Sequence, residues 1–137
     1  MKTDQFILLA RKQIGTPFLH MGRAPGRALD CAGFAGHMAD VAGVRWIDVE
    51  SYGPHPSGGI LESALDAQPC LRREYRQPIA GDLLLMRFAE SPQHLALCAG
   101  ETIIHSWAGP GLVCEHRFTD QWRRRVVRVY SFVGVEQ

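Results

Sequence analysis

The sequence predicts an α+β fold with N-terminal helices packed on a five-stranded antiparallel sheet. Three observations carry this. Apolar residues in the first forty positions recur at helical spacing. From residue 82 the period changes to that of strands. Turn signals then divide the remainder into five short segments, which suits a meander with helices on one side.

Residues 3–14, TDQFILLARKQI, form the first predicted helix. Thr3 or Asp4 caps it, Phe6, Ile7, Ala10 and Ile14 make its apolar stripe, and Gly15 and Pro17 end it. Residues 18–29, FLHMGRAPGRAL, are a loop broken by Gly and Pro. The second helix starts at Asp30, a good N-cap, and runs to about Ala42, with Gly43 after it. Gly33 and Gly36 lie inside it, each at a cost of ~1 kcal/mol relative to Ala in an exposed helix. Together with Ala32, Ala35 and Ala39 they point to a helix pressed against another backbone, expected to be the sheet. Residues 44–80 are the least regular: SYGPHPSGG is a loop, ILESALDAQ a short helix, and QPIAGD a turn into a strand. The five strands are DLLLMRF, HLALCAG, ETIIHSW, GLVCEHRF and RVVRVYSF, with SPQ, AGE, AGPG and TDQW as the turns between them.

The 137 residues suit one domain over positions 1–137. A hydrophobic share of 46% and a charged share of 21% are those of an ordinary globular chain. The formal net charge of +1 supplies no global field for nucleic acid or anionic lipid. No apolar run approaches the ~20 residues of a membrane span. FILLA is too short for a signal-peptide core and runs into Arg11 and Lys12, so synthesis in the cytoplasm without a signal peptide is expected. The four cysteines include no C-x-x-C pair and are expected to be thiols.

Cys31 stands out because it directly follows the predicted cap Asp30. A sulfur at a helix start lies at the positive end of the dipole, which favours thiolate. The neighbouring carboxylate opposes this, so the net sign is open at this stage. A small buried hydrophobe at a helix start is the competing reading. A thiol nucleophile needs a base and a group to orient the base. His94 opens one strand and His105 ends the next, across the tight AGE turn, so the two are expected to be neighbours. His94, His105 and His116 also recur every eleven residues, with Cys98 and Cys114 nearby, which makes a zinc site a second possibility on one sheet face. The spacing matches no short-range metal motif, and no metal or cofactor is expected. WRRRVVRV reads as a strand with a solvated basic entry.

These residues resemble a known family. DCAGF, then HLAL, then IHSW, in that order, is similar to the NlpC family of cell-wall cysteine peptidases (the NlpC/p-sixty superfamily), which implies a papain-like layout. IGTPFLHMGRAPGRALDCAGF resembles that family's helix–loop–helix entry, and IAGDLLLMRF its P-x-x-G-D-L strand start, with Ala80 where proline is common. DQWRRRVVRVYSF is similar to the ending of phage-tail and gene-transfer-agent members. The resemblance implies Cys31 as nucleophile, His94 as base and His105 as the third, polar member, acting without a cofactor. It implies peptidoglycan stem peptides as substrate, often cut between D-γ-glutamate and diaminopimelate. It also implies association with tail proteins and action at the cell wall. Many relatives carry a tyrosine where Phe18 stands, so the hydroxyl is either supplied by His20 as a polar substitute or absent. The alternative role is a tail-assembly hub that keeps the fold without turnover. The activated-nucleophile reading predicts that Cys31 alkylates first near pH 6.

Overall fold

The computed structural model describes residues 1–50, 52–89 and 91–136; Ser51, the first residue of the expected SYGPHPSGG loop, lies outside them. In chain order the elements are α1 (Thr3–Arg11), β1 (Arg23–Ala24), β2 (Ala28–Leu29), α2 (Cys31–Val41), α3 (Ile60–Asp66), β3 (Leu71–Glu74), β4 (Leu83–Phe88), β5 (Ser91–Cys98), β6 (Thr102–Trp107), β7 (Leu112–Arg117), α4 (Asp120–Arg123) and β8 (Val126–Phe132). The α+β expectation holds, with one correction. The main sheet has six strands in the order β3-β8-β4-β5-β6-β7, rather than five. The added strand is β3, Leu-Arg-Arg-Glu, which lies on the sheet edge with no apolar alternation to announce it. The expected SPQ turn is also displaced: Ser91–Gln93 are already in β5.

The sheet divides two apolar layers. Against the helices lie Leu83, Leu85, Leu95, Leu97 and Ile104 with Phe6, Phe34 and Met38. On the opposite face Leu84, Met86, Ala96, Cys98 and Ile103 pack with Phe118 and Val129. Strand β4 is therefore covered on both sides, which explains the unbroken apolar run Leu83–Met86. Burying each such side chain contributes about 1.5–3 kcal/mol relative to exposure. The GD of IAGDLLLMRF turns the chain into β4. Gly81 has φ +98°, its N–H bonds the Cys98 carbonyl at 2.8 Å, and the Asp82 carboxylate accepts from the Ile79 N–H at 2.8 Å and from Arg76 at 2.6 Å.

Among the described residues, strands β5 and β6 are paired only at Leu97↔Ile104 and Cys98↔Ile103. Beyond that point β6 continues its ladder with β7 alone. The start of α2 faces this opening. The chain between α1 and α2 is moored there by Phe18 N–H to the Gly111 carbonyl (2.9 Å), Leu29 N–H to the Pro17 carbonyl (3.0 Å) and the Ser106 hydroxyl to the Leu29 carbonyl (2.6 Å).

The glycines of α2 do admit a close neighbour, but it is not the sheet. A Cβ on Gly33 would lie 2.1 Å from the carbonyl oxygen of Gly22, in the loop that precedes the helix, and Gly36 faces the Trp46 ring. Gly33→Ala should therefore lower Tm by about 5–10 °C through overpacking. Gly53→Ala, where nothing lies within 4 Å of the new Cβ, should be close to neutral. Thermal unfolding of the two variants checks this.

Candidate active site

Cys31 is the first residue of α2, and Asp30 caps it from extended backbone. One oxygen of the Asp30 carboxylate accepts from the Gly33 N–H at 2.8 Å and from Arg23 Nη1 at 2.7 Å. The other accepts from the Met21 N–H at 2.9 Å and from the Tyr52 hydroxyl. Arg23 reaches onward to Asp48 (2.7 Å), the Val49 carbonyl (2.8 Å) and the Tyr52 oxygen (2.8 Å). The irregular stretches around 21–23 and 48–52 are thus tied to the helix start.

The histidines meet as expected. His94 Nε2 lies 2.5 Å from His105 Nδ1. The line continues: His105 Nε2 lies 2.8 Å from His116 Nε2, and His116 Nδ1 lies 2.9 Å from the Arg117 carbonyl. The eleven-residue recurrence follows from strand pairing. His105 sits opposite Cys114, so His116, two residues on, shares its face. Aromatic rings sheathe the line. Phe88 stacks on His94 (4.8 Å, 16°), Trp107 stacks on His105 (5.5 Å, 11°), and Trp122 meets both His105 and His116.

Cys31 and His94 line one cavity of about 190 Å³, together with Asp30, His20, Phe18 and Tyr52. His105 stands behind His94 rather than in the cavity wall. The wall does hold a tyrosine hydroxyl, but it comes from Tyr52. His20 meets the Tyr52 ring edge-on at 5.3 Å. Tyr52 and Arg23 belong to no short motif, and sequence reasoning missed both. Their only sequence signal is a lone tyrosine in a long irregular connection and an arginine seven residues before a cap. A larger groove of about 610 Å³ is lined by Arg73, Arg76, Arg123 and Arg128 and contains no thiol or imidazole. A metal-type donor cluster does exist among the described residues. It consists of His105, Cys114 and His116, with ligand atoms within 4.8 Å of one another, and leaves out His94 and Cys98.

The surroundings of Cys31 weigh against its thiolate. Burial, and then the charge of Asp30, push the Cys31 thiol up to about 12, against the N–H groups of Leu95 and Ala32 and the charge of Arg23. The helix terminus does favour the thiolate, but it is outweighed. Burial also holds both histidines below their ordinary range; Arg125 and His116 add to this at His94, and His94 and His116 at His105. Both shifts favour a thiol beside a neutral imidazole at rest. These directions weigh against early alkylation of Cys31 near pH 6, which the activated-nucleophile reading predicts.

No family model matches the chain, and no curated protein matches it. Solved structures do. The NlpC/p60 domain of the peptidoglycan hydrolase SagA aligns over 96% of this chain and 100% of that domain, with TM-score 0.63 and 25% identity. An NlpC/p60 family protein from Bacillus cereus aligns over 96% of this chain and 40% of its own, with TM-score 0.67 and 19% identity. The peptidoglycan hydrolase RipB from Mycobacterium tuberculosis aligns over 96% of this chain and 64% of its own, with TM-score 0.61 and 16% identity. The chain has the NlpC/p60 fold, and it spans less than half of the Bacillus protein.

Two outcomes follow from the buried neutral groups. Limiting iodoacetamide should leave Cys31 largely unlabelled at pH 6, and labelling should rise only above the ordinary thiol range near ~8.5. Peptide mapping across pH reads this directly, and fast labelling at pH 6 would mean an ion pair instead. The second outcome concerns stability. Because the folded pKa of His94 and of His105 is depressed, their contribution is complete above the unfolded value of about 6.5 and is lost as pH falls below it. Each should cost about 1.4 kcal/mol per pH unit in that window. Urea unfolding between pH 7 and 4.5 should show the slope, and His105→Asn should reduce it.

Proposed function

We propose that this chain is a cysteine peptidase that hydrolyses peptidoglycan stem peptides. One observation carries the reading: Cys31 and His94 share a small cavity, and His105 holds His94 from behind at 2.5 Å. The peptidoglycan hydrolases among the solved relatives support a cell-wall peptide as substrate.

In this reading the scissile carbonyl carbon sits over the Cys31 sulfur at the start of α2. His94 takes the thiol proton as the C–S bond forms, so the charge of a free thiolate never builds up beside Asp30. The Cys31 N–H, in the first turn of the helix, faces the developing oxyanion. His94 then gives its proton to the leaving amine. Water hydrolyses the thioester with His94 again as base, and Cys31 recovers its proton. His105 holds the imidazole ring in place. The aromatic walls at Phe18, Phe88 and Trp107 suit a short extended peptide. The bond proposed is that between D-γ-glutamate and diaminopimelate. The similarity of DQWRRRVVRVYSF to phage-tail and gene-transfer-agent endings supports a role in local wall degradation beside tail proteins.

Mass spectrometry of purified muropeptides incubated with the protein tests the reading. Cys31→Ala should abolish cleavage with Tm within a few degrees of wild type. His94→Ala should lose nearly all activity, and His105→Asn should keep part of it, because an amide oxygen can still accept the His94 N–H. A Cys31→Ala variant that cleaves like wild type would remove the nucleophile. A wild-type protein that cleaves no muropeptide would leave the hub role.

A further inference from the structure

His116 takes no part in the chemistry above, yet it ends the line of rings behind His94. We propose that His116 is a positioning residue that fixes, through His105, which nitrogen of His94 carries the proton; the inference rests on the peptidase reading of the same site. The argument is one of donors and acceptors. A carbonyl oxygen only accepts, so the contact of His116 Nδ1 with the Arg117 carbonyl at 2.9 Å places a hydrogen on that nitrogen. The Nε2 of a neutral His116 then offers a lone pair, and at 2.8 Å it accepts from His105 Nε2–H. His105 Nδ1 is in turn an acceptor, and at 2.5 Å it receives the hydrogen of His94 Nε2. His94 Nδ1, at the far side of the ring from His105, is left with the lone pair that a base needs. Burial supports the premise that the inner two rings are neutral, since His105 is fully buried and His94 nearly so.

His105 alone could not set this order. A neutral imidazole between His94 and an undirected partner has two tautomers, and the reversed one makes His105 Nδ1 a donor. His94 Nε2 would then accept and its Nδ1 would carry hydrogen, leaving the ring no free lone pair to take the thiol proton. The fixed end at the Arg117 carbonyl breaks that tie. Cys114, across the ladder from His105, is not needed for it.

Long-range proton–nitrogen NMR of the histidine side chains tests this without reference to turnover. The wild type should show His94 and His105 with hydrogen on Nε2 and His116 with hydrogen on Nδ1. In His116→Gln the amide oxygen can accept from His105 and the amide nitrogen can donate to the Arg117 carbonyl, so the tautomers and most of kcat should be kept. The ammonium of His116→Lys only donates. It should reverse both inner rings and lower kcat by about a hundredfold or more at unchanged KM, since a base held in the wrong tautomer is what costs ~10⁴ in a serine-protease triad. Hydrogen on His94 Nδ1 in the wild type would overturn the proposal by itself, whether or not the lysine variant folds. So would a folded lysine variant with unchanged tautomers and kcat. If no muropeptide is cleaved by any variant, the peptidase reading fails, while the spectra still decide what His116 does.

Discussion

The whole site depends on one buried carboxylate. Asp30 accepts four hydrogen bonds, from Met21 and Arg23 in the loop before α2, from Gly33 in the helix and from Tyr52 in the long connection after it, so three parts of the chain meet on it. Each would be weak alone in water. Buried together around one anion they are charge-assisted and cooperative. They set the start of α2, hence the Cys31 backbone, and they close the cavity wall through Tyr52. The same charge has a cost at the adjacent sulfur, where it is the second cause, after burial, of the raised thiol pKa. The cap is therefore a positional device that works against ionisation, and the helix N-terminus only partly offsets it.

The candidate site was legible where its logic is local. Asp30 before Cys31 announces a capped helix, and two histidines flanking a tight hairpin announce contact, because strand period and turn length are short-range rules. The recurrence at His116 was visible too, but as a spacing it was read only as a possible metal ligand. Its role as the next ring in line needed the register His105↔Cys114. Tyr52 was not legible. It reaches Asp30 across twenty-two positions of irregular chain, and nothing about an isolated tyrosine in a Gly/Pro-rich loop says which carboxylate it will find. Strand β3 escaped for a related reason. An edge strand reading Leu-Arg-Arg-Glu owes its place to pairing with β8 rather than to an apolar face of its own. The glycines of α2 were read correctly as marks of close approach and assigned to the wrong neighbour, since composition shows that something is near without showing what.

Sheet geometry explains how a helix and a histidine from opposite layers come to share a cavity. Leu95 and Leu97 of β5 point into the helix-side core, while Ala96 and Cys98 lie in the opposite layer. His94 alternates with the second set, so on a continuous sheet it would be hidden from α2. The β5–β6 ladder ends after two residue pairs, and His94 lies beyond its end. Through that opening the Leu95 N–H reaches the Cys31 sulfur, and His94 lines the same cavity from the far layer. A ladder running on to Trp107 would close the passage. The short pairing is thus a condition of the site, and the Ser106 bond to the Leu29 carbonyl helps hold the chain before α2 against it.

In the proposed peptidase, the choice of an imidazole as third member fits the rest of the chemistry. A carboxylate in that place would stabilise a charged His94 and hold its proton more tightly. A neutral ring orients His94 and adds no such pull, and Arg125, stacked over Phe88 and Trp122, opposes charge on it further. A base that is neutral at rest is the less costly state for a ring as buried as His94, and the half-buried thiol beside it follows the same preference. The price is that charge must be created during attack rather than beforehand. That places the demand on the oxyanion contact at the start of α2, and so back on the cap that holds the helix there.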